Sequence, residues 1–214
     1  ISAFGGIHSH QLKNENDGTI NIDSIHSAIR QDNIHYPKTS LICLENTQNM
    51  CFGSPISSAY MNDVYQLAKK NDLNVHTDGA RIFNAAVALD TNIQELVEYT
   101  DSITFCLSKG LSSPIGSILC GTEEFIYEAR RIRKALGGGM RQAGIVAASG
   151  KVALNENIEQ LQIDHDNAKY LAENIYRIPY LDIDIERIKT NILYFSISHD
   201  SLNGSDFVDM MHDK

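Results

Sequence analysis

Two short runs hold the residue types best suited to chemistry. Cys106-Leu107-Ser108-Lys109-Gly110 sets a lysine among small residues at the end of an apolar run. An amine so placed can be drawn out of water, which disfavours its ammonium form and suits it to imine formation with an aldehyde. The hydroxyl of Ser108, beside it, could donate to a phosphate. His76-Thr77-Asp78-Gly79-Ala80-Arg81 ends a second apolar run on a carboxylate. A fixed carboxylate keeps a pyridine-type nitrogen protonated, so that the ring accepts electrons, and Gly79 and Ala80 leave room for a flat ring. The planar fork of Arg81 suits a carboxylate or a phenolic oxygen better than a lysine would. Each residue alone has an ordinary reading: an Asp after a strand caps a helix, an Arg is solvated, and Ser-Lys-Gly is a common triplet.

The elements that must position these groups follow from periodicity. Apolar runs of strand length alternate with segments of helical period, the pattern of an α/β protein with a mostly parallel sheet and helices on both faces. Helices are predicted over 22–33, 60–70, 93–99, 123–136 and 142–176, the last broken near Asn155 to Asn157. Strands are predicted over 40–44, 73–77, 102–107, 116–120, 181–188 and 191–197. Asp78 and Lys109 then stand at strand carboxyl ends, where open α/β sheets bind ligands. A large domain over 1–177 is expected, with a small C-terminal one beginning at 178.

Composition narrows the partners. The net charge of −9 over 214 residues disfavours nucleic acid and anionic membranes, and the one dense basic cluster is Arg130, Arg131, Arg133 and Lys134. No run is apolar for long enough to span a bilayer. The four cysteines form no CxxC pair and fit a reducing, cytoplasmic setting, and no histidine pair has the HxxxH spacing of a metal site, so no metal is expected. The chain opens without Met inside what reads as ongoing structure, so a fragment is expected.

Three blocks, HTDGARIFNAAVAL, DSITFCLSKGLSSPIGSILCG and RKALGGGMRQAGIVAASG, stand in the order and spacing found in L-threonine aldolases. FGGIHSHQL and IHYPKTSLICLENTQN add to this, so the chain resembles the low-specificity L-threonine aldolases from about Ala3 to beyond Asn191. The resemblance implies fold type I of the pyridoxal-phosphate enzymes, truncated at both ends. Its cofactor would be pyridoxal 5'-phosphate, and its reaction retro-aldol cleavage of L-threonine or L-allo-threonine to glycine and acetaldehyde. It carries Lys109 to the Schiff-base lysine, Asp78 to the pyridinium partner, Arg81 to the cofactor-oxygen contact and Ala80 to the floor beneath the ring. His35 becomes the histidine near the substrate hydroxyl, and Arg141 an arginine for anionic groups, with Lys134 nearby.

A homotetramer with sites at subunit interfaces is also implied, with Gly137 to Arg141 as an interface element. The chain departs from the family pattern at Gln48, where histidine is usual, and at Phe52-Gly53-Ser54, where a glycine pair is more frequent. The family's phosphate-cradling segment would precede Ile1, and its substrate-carboxylate arginine would follow Lys214. Three alternatives remain open: a β-eliminating lyase of the same fold, a racemase, and a non-catalytic scaffold or dimerising fragment.

Overall fold

The computed structural model describes residues 1–212. Helices α1 (Ser2–Gly5) and α2 (Ile22–Ala28) precede strand β1 (Leu41–Glu45), which leads to α3 (Ser58–Lys70) and β2 (Asn74–Asp78). After β2 come α4 (Ile82–Ala88), α5 (Ile93–Val97), β3 (Ser102–Cys106) and β4 (Ser117–Gly121). Helices α6 (Glu123–Ala135), α7 (Gly144–Glu156) and α8 (Gln160–Ile175) follow, then β5 (Leu181–Asp182), β6 (Ser196–Ile197) and α9 (Gly204–His212).

The main sheet has the order β1-β2-β3-β4, with β1, β2 and β3 parallel and β4 antiparallel to β3. This is the mostly parallel α/β arrangement expected. Strand register puts Ile42 beside Val75, Leu44 beside Thr77, and Thr77 beside Ile103, on one face. On that face Ile42, Leu44 and Val75 bury against Met61, Val64 and Ala68 of α3, and Ile103 against Ile82, Ala85 and Ala86 of α4. The opposite face carries Cys43, Glu45, His76, Asp78 and Thr104, and is polar and partly open. Strand β1 therefore buries only alternate residues.

Side-chain caps mark where helices start: Ser57 accepts from the Tyr60 N–H, Asn92 from Gln94 and Thr122 from Phe125. Helix α2 stops earlier than predicted because Ile29 turns extended and the next N–H, of Arg30, donates to Thr39 Oγ1 at 3.1 Å. The predicted break between α7 and α8 is present, and there Asn157 turns its amide to the carbonyl of Leu111 at 2.8 Å.

The two strands predicted after Leu181 shrink to the short β5–β6 pair. Side chains compete for the backbone here: Asp184 caps a 3-10 turn over Ile185–Arg187, and the buried Thr190 donates to the carbonyl of Gly53. This pair packs on α8 through Ala168, Ala172, Ile175, Ile183 and Ile188. No helix among the described residues is long and apolar enough to cross a membrane.

Candidate active site

The parallel strands bring three chain ends to one edge of the sheet. The carbonyl of Asp78 accepts from Asn46 N–H at 2.8 Å, and Gly79 N–H donates to the carbonyl of Thr104 at 2.7 Å, so β1, β2 and β3 are tied just where Asp78 leaves the ladder. A Cβ on Gly79 would lie 2.8 Å from Ile103 Cδ1, so a larger residue here would push the Ile103 side chain aside. Asp78 Oδ1 accepts from Ala80 N–H at 3.0 Å, which fixes the carboxylate and leaves Oδ2 without a partner among the described residues.

Arg81 is half-buried at the start of α4. It lines an open cleft of about 620 Å³ with Asn49, Asn167 of α8 and Tyr194. Lys109 sits in a turn beyond β3, closed by Ser112 N–H on its carbonyl at 2.8 Å and by Ser113 N–H on that of Leu107 at 3.0 Å. That turn is seated on α8, because a Cβ on Gly110 would lie 2.7 Å from Leu161 Cδ2 and 3.1 Å from Asn84 Oδ1. Lys109 itself is exposed, so the desolvation expected for its amine is not supplied by the described residues.

The sequence reading assigned no role to Glu45, which the structure brings to this edge. It ends β1 in register with Asp78 and is half-buried. Burial pushes its carboxyl above the usual range. The Asn49 N–H bond opposes this, Asp78 adds to it, and Arg81 and Lys109 oppose it. Asp78, Arg81 and Lys109 each lie within electrostatic reach of Glu45. His76, also passed over, has its imidazole pushed down by burial, against the pull of Asp78, and its Nδ1 is 2.8 Å from Ser102 Oγ. Glu45 lay within a quoted motif, yet only the register with Asp78 gives it a place at the site.

The remaining candidates are less gathered. Ala80 is buried beside Asp78, and Ser108 is exposed next to Lys109. His35 is exposed in the loop before β1, where its backbone N–H donates to Asn33 Oδ1 at 2.9 Å. Lys134 and Arg141 are exposed around the α6–α7 connection. No described hydrogen bond or ion pair links His35, Lys134 or Arg141 to the Asp78–Lys109 group. Among the described residues, no group of three His, Cys, Asp or Glu side chains could hold a metal ion. A primary amine, a carboxylate with one oxygen free and a guanidinium, with only Gly79 and Ala80 between the last two, form a donor set that fits pyridoxal phosphate.

Comparison with known proteins agrees with this chemistry. Residues 1–198 match the beta-eliminating lyase family. The chain is 46% identical over 208 residues to "Probable low-specificity L-threonine aldolase 2" of Arabidopsis thaliana, covering 96% of this chain and 59% of that one. It is 41% identical over 200 residues to the low specificity L-threonine aldolase of Escherichia coli O157:H7, covering 94% and 58%. The chain thus spans somewhat over half the length of the curated relatives it matches. A solved threonine aldolase of Leishmania major shares the fold, with a TM-score of 0.72 at 16% identity over 92% of this chain and 57% of that one. By its motifs, its fold and the match along most of its length, the chain belongs to the beta-eliminating lyase family.

Proposed function

We propose that this chain provides the catalytic core of a pyridoxal-phosphate-dependent carbon–carbon lyase that cleaves L-threonine or L-allo-threonine to glycine and acetaldehyde. The observation that carries the reading is that Asp78 with Arg81, and Lys109, follow the carboxyl ends of the neighbouring parallel strands β2 and β3. Its strong identity to proteins named L-threonine aldolases favours this reaction over others of the fold.

Lys109 would hold the cofactor through its amine, and Ser108 would donate to its phosphate. Asp78, its Oδ1 fixed by Ala80 N–H, would offer Oδ2 to the ring nitrogen and keep it protonated. Ala80 would provide the floor for the ring. When bound, pyridoxal phosphate supplies a sink for the electrons left on the α-carbon when the carbon–carbon bond breaks. Arg81 fixes the phenolic oxygen or the substrate carboxylate, orienting the bond that breaks, and orientation selects the reaction. His35 accepts the hydroxyl proton, directly or through water, as a neutral imidazole can near neutral pH. Arg141, with Lys134 near it, binds anionic groups at the rim.

The wider reading comprises a homotetramer in the cytoplasm and a small C-terminal domain that begins near residue 178. The separate β5–β6 sheet supports that boundary. The exposed Ile132, Leu136, Met140 and Ile145 around Gly137–Gly139 support self-association there. Product analysis tests the reaction. Glycine and acetaldehyde in equal amounts from L-threonine are expected, whereas pyruvate with ammonia from a β-substituted amino acid, or racemised alanine, would replace this reading with another member of the fold.

A further inference from the structure

Glu45 is the one charged group at this edge of the sheet to which the reaction above gives no task. Both its oxygens are engaged: Oε2 accepts from Gln48 Nε2 at 3.0 Å and Oε1 from Asn49 N–H at 3.3 Å. Gln48 in turn accepts the Cys51 N–H on Oε1 at 2.8 Å, which closes the 3-10 turn Asn49–Cys51. From that turn Asn49 Nδ2 donates to Tyr194 Oη at 3.4 Å, and Phe52 meets the Tyr194 ring edge-on at 5.3 Å. Asn49 and Tyr194 share the cleft with Arg81. An unbroken set of contacts therefore runs from the strand pair Glu45–Asp78, through the turn, to the cleft wall on the segment before β6.

We propose that Glu45 is a positioning residue: its carboxylate fixes the Gln48–Cys51 turn, and so sets the Asn49–Tyr194 wall of the Arg81 cleft that receives the amino-acid substrate. The part concerning substrate rests on the function proposed above; the part concerning the turn does not. A carboxylate suits the task because it accepts two bonds at once, where an amide offers one accepting oxygen. Its charge is also matched by Arg81 and Lys109 nearby.

The test compares Glu45→Ala and Glu45→Gln with the unaltered intact protein. Without cofactor or substrate, amide hydrogen exchange at Asn49 and Cys51 should quicken about tenfold in Glu45→Ala, the loss expected for a bond to a charged group, while exchange in β2 and β3 stays unchanged. Glu45→Gln should recover part of this protection. In the loaded enzyme Glu45→Ala should raise KM for L-threonine about fivefold or more, with kcat within about twofold, because it acts on binding rather than on the bond that breaks. Unchanged exchange at Asn49 and Cys51, or raised exchange with unchanged KM, overturns the proposal.

Should Glu45→Ala not fold, Glu45→Gln decides, with about threefold faster exchange at Cys51 and a KM raised about twofold expected, and no change in either overturning it. If the unaltered protein releases no glycine and acetaldehyde, the proposed function fails, while the exchange arm still decides whether Glu45 holds the turn.

Discussion

At the scale of single residues, Asp78 is the group whose charge and shape can be separated. Asn at this position keeps an oxygen for the Ala80 N–H but removes the charge offered to a ring nitrogen. Asp78→Asn should therefore fold and bind cofactor, yet lower turnover about 10²- to 10³-fold, measured as acetaldehyde released. His35→Asn removes the proposed proton acceptor and should cut turnover about 10²-fold; unaltered retro-aldol turnover would remove His35 from the mechanism. The placement of Lys109, Asp78 and Arg81 past strand ends was legible in the sequence because an apolar run ends directly before each cluster. Glu45 was not, since its meaning comes from a neighbour on another strand, and pairing register is not written in local sequence.

At the scale of elements, the Lys109 turn depends on the seat that α4 and α8 provide. Leu161 is fully buried, so a methyl placed 2.7 Å from its Cδ2 forces a packed side chain to shift. Gly110→Ala should cost about 1–3 kcal/mol in chemical unfolding and weaken cofactor binding through displacement of Lys109. Beneath the same turn, Asn84 Nδ2 donates to His165 Nε2 at 3.1 Å, a bond that requires a neutral ring in this orientation. Burial pushes the His165 imidazole below its ordinary value, with Asp164 and Asp166 opposing. The unfolded chain binds that proton at about pH 6.5 and the folded chain only at lower pH, so between those values the unfolded state holds more protons. Stability contributed by His165 is then complete above about pH 6.5 and falls on acidification through that window. His165→Gln, which keeps an acceptor for Asn84, should lose less stability than the unaltered chain between about pH 7.5 and 5.5 in urea unfolding. An equal loss would contradict this. Helix α4 was not predicted although Ile82, Ala85 and Ala86 have helical spacing, because its 7 residues make about two turns, too few for the period to stand out.

At the scale of the molecule, β1, β2 and helix α3 were readable because burial there repeats with a regular period, whereas the region from Leu181 on was not, because local side-chain bonds replace the ladder. Strand β4 is exposed along its whole length, and no residue of α6 is buried, which sets this side apart from the packed β1–β3 edge. If self-association covers it, Leu136→Glu, which charges an exposed apolar position, should shift the sedimenting species to a smaller size with little change in secondary structure. An unchanged species would move the interface elsewhere. The account as a whole turns on Lys109, and the most direct measurement is absorbance of the intact protein titrated with pyridoxal phosphate, for the unaltered chain and for Lys109→Ala. An imine band that forms in the first, responds to added glycine, and is absent in the second is the predicted result. A band of equal strength in Lys109→Ala would contradict the account.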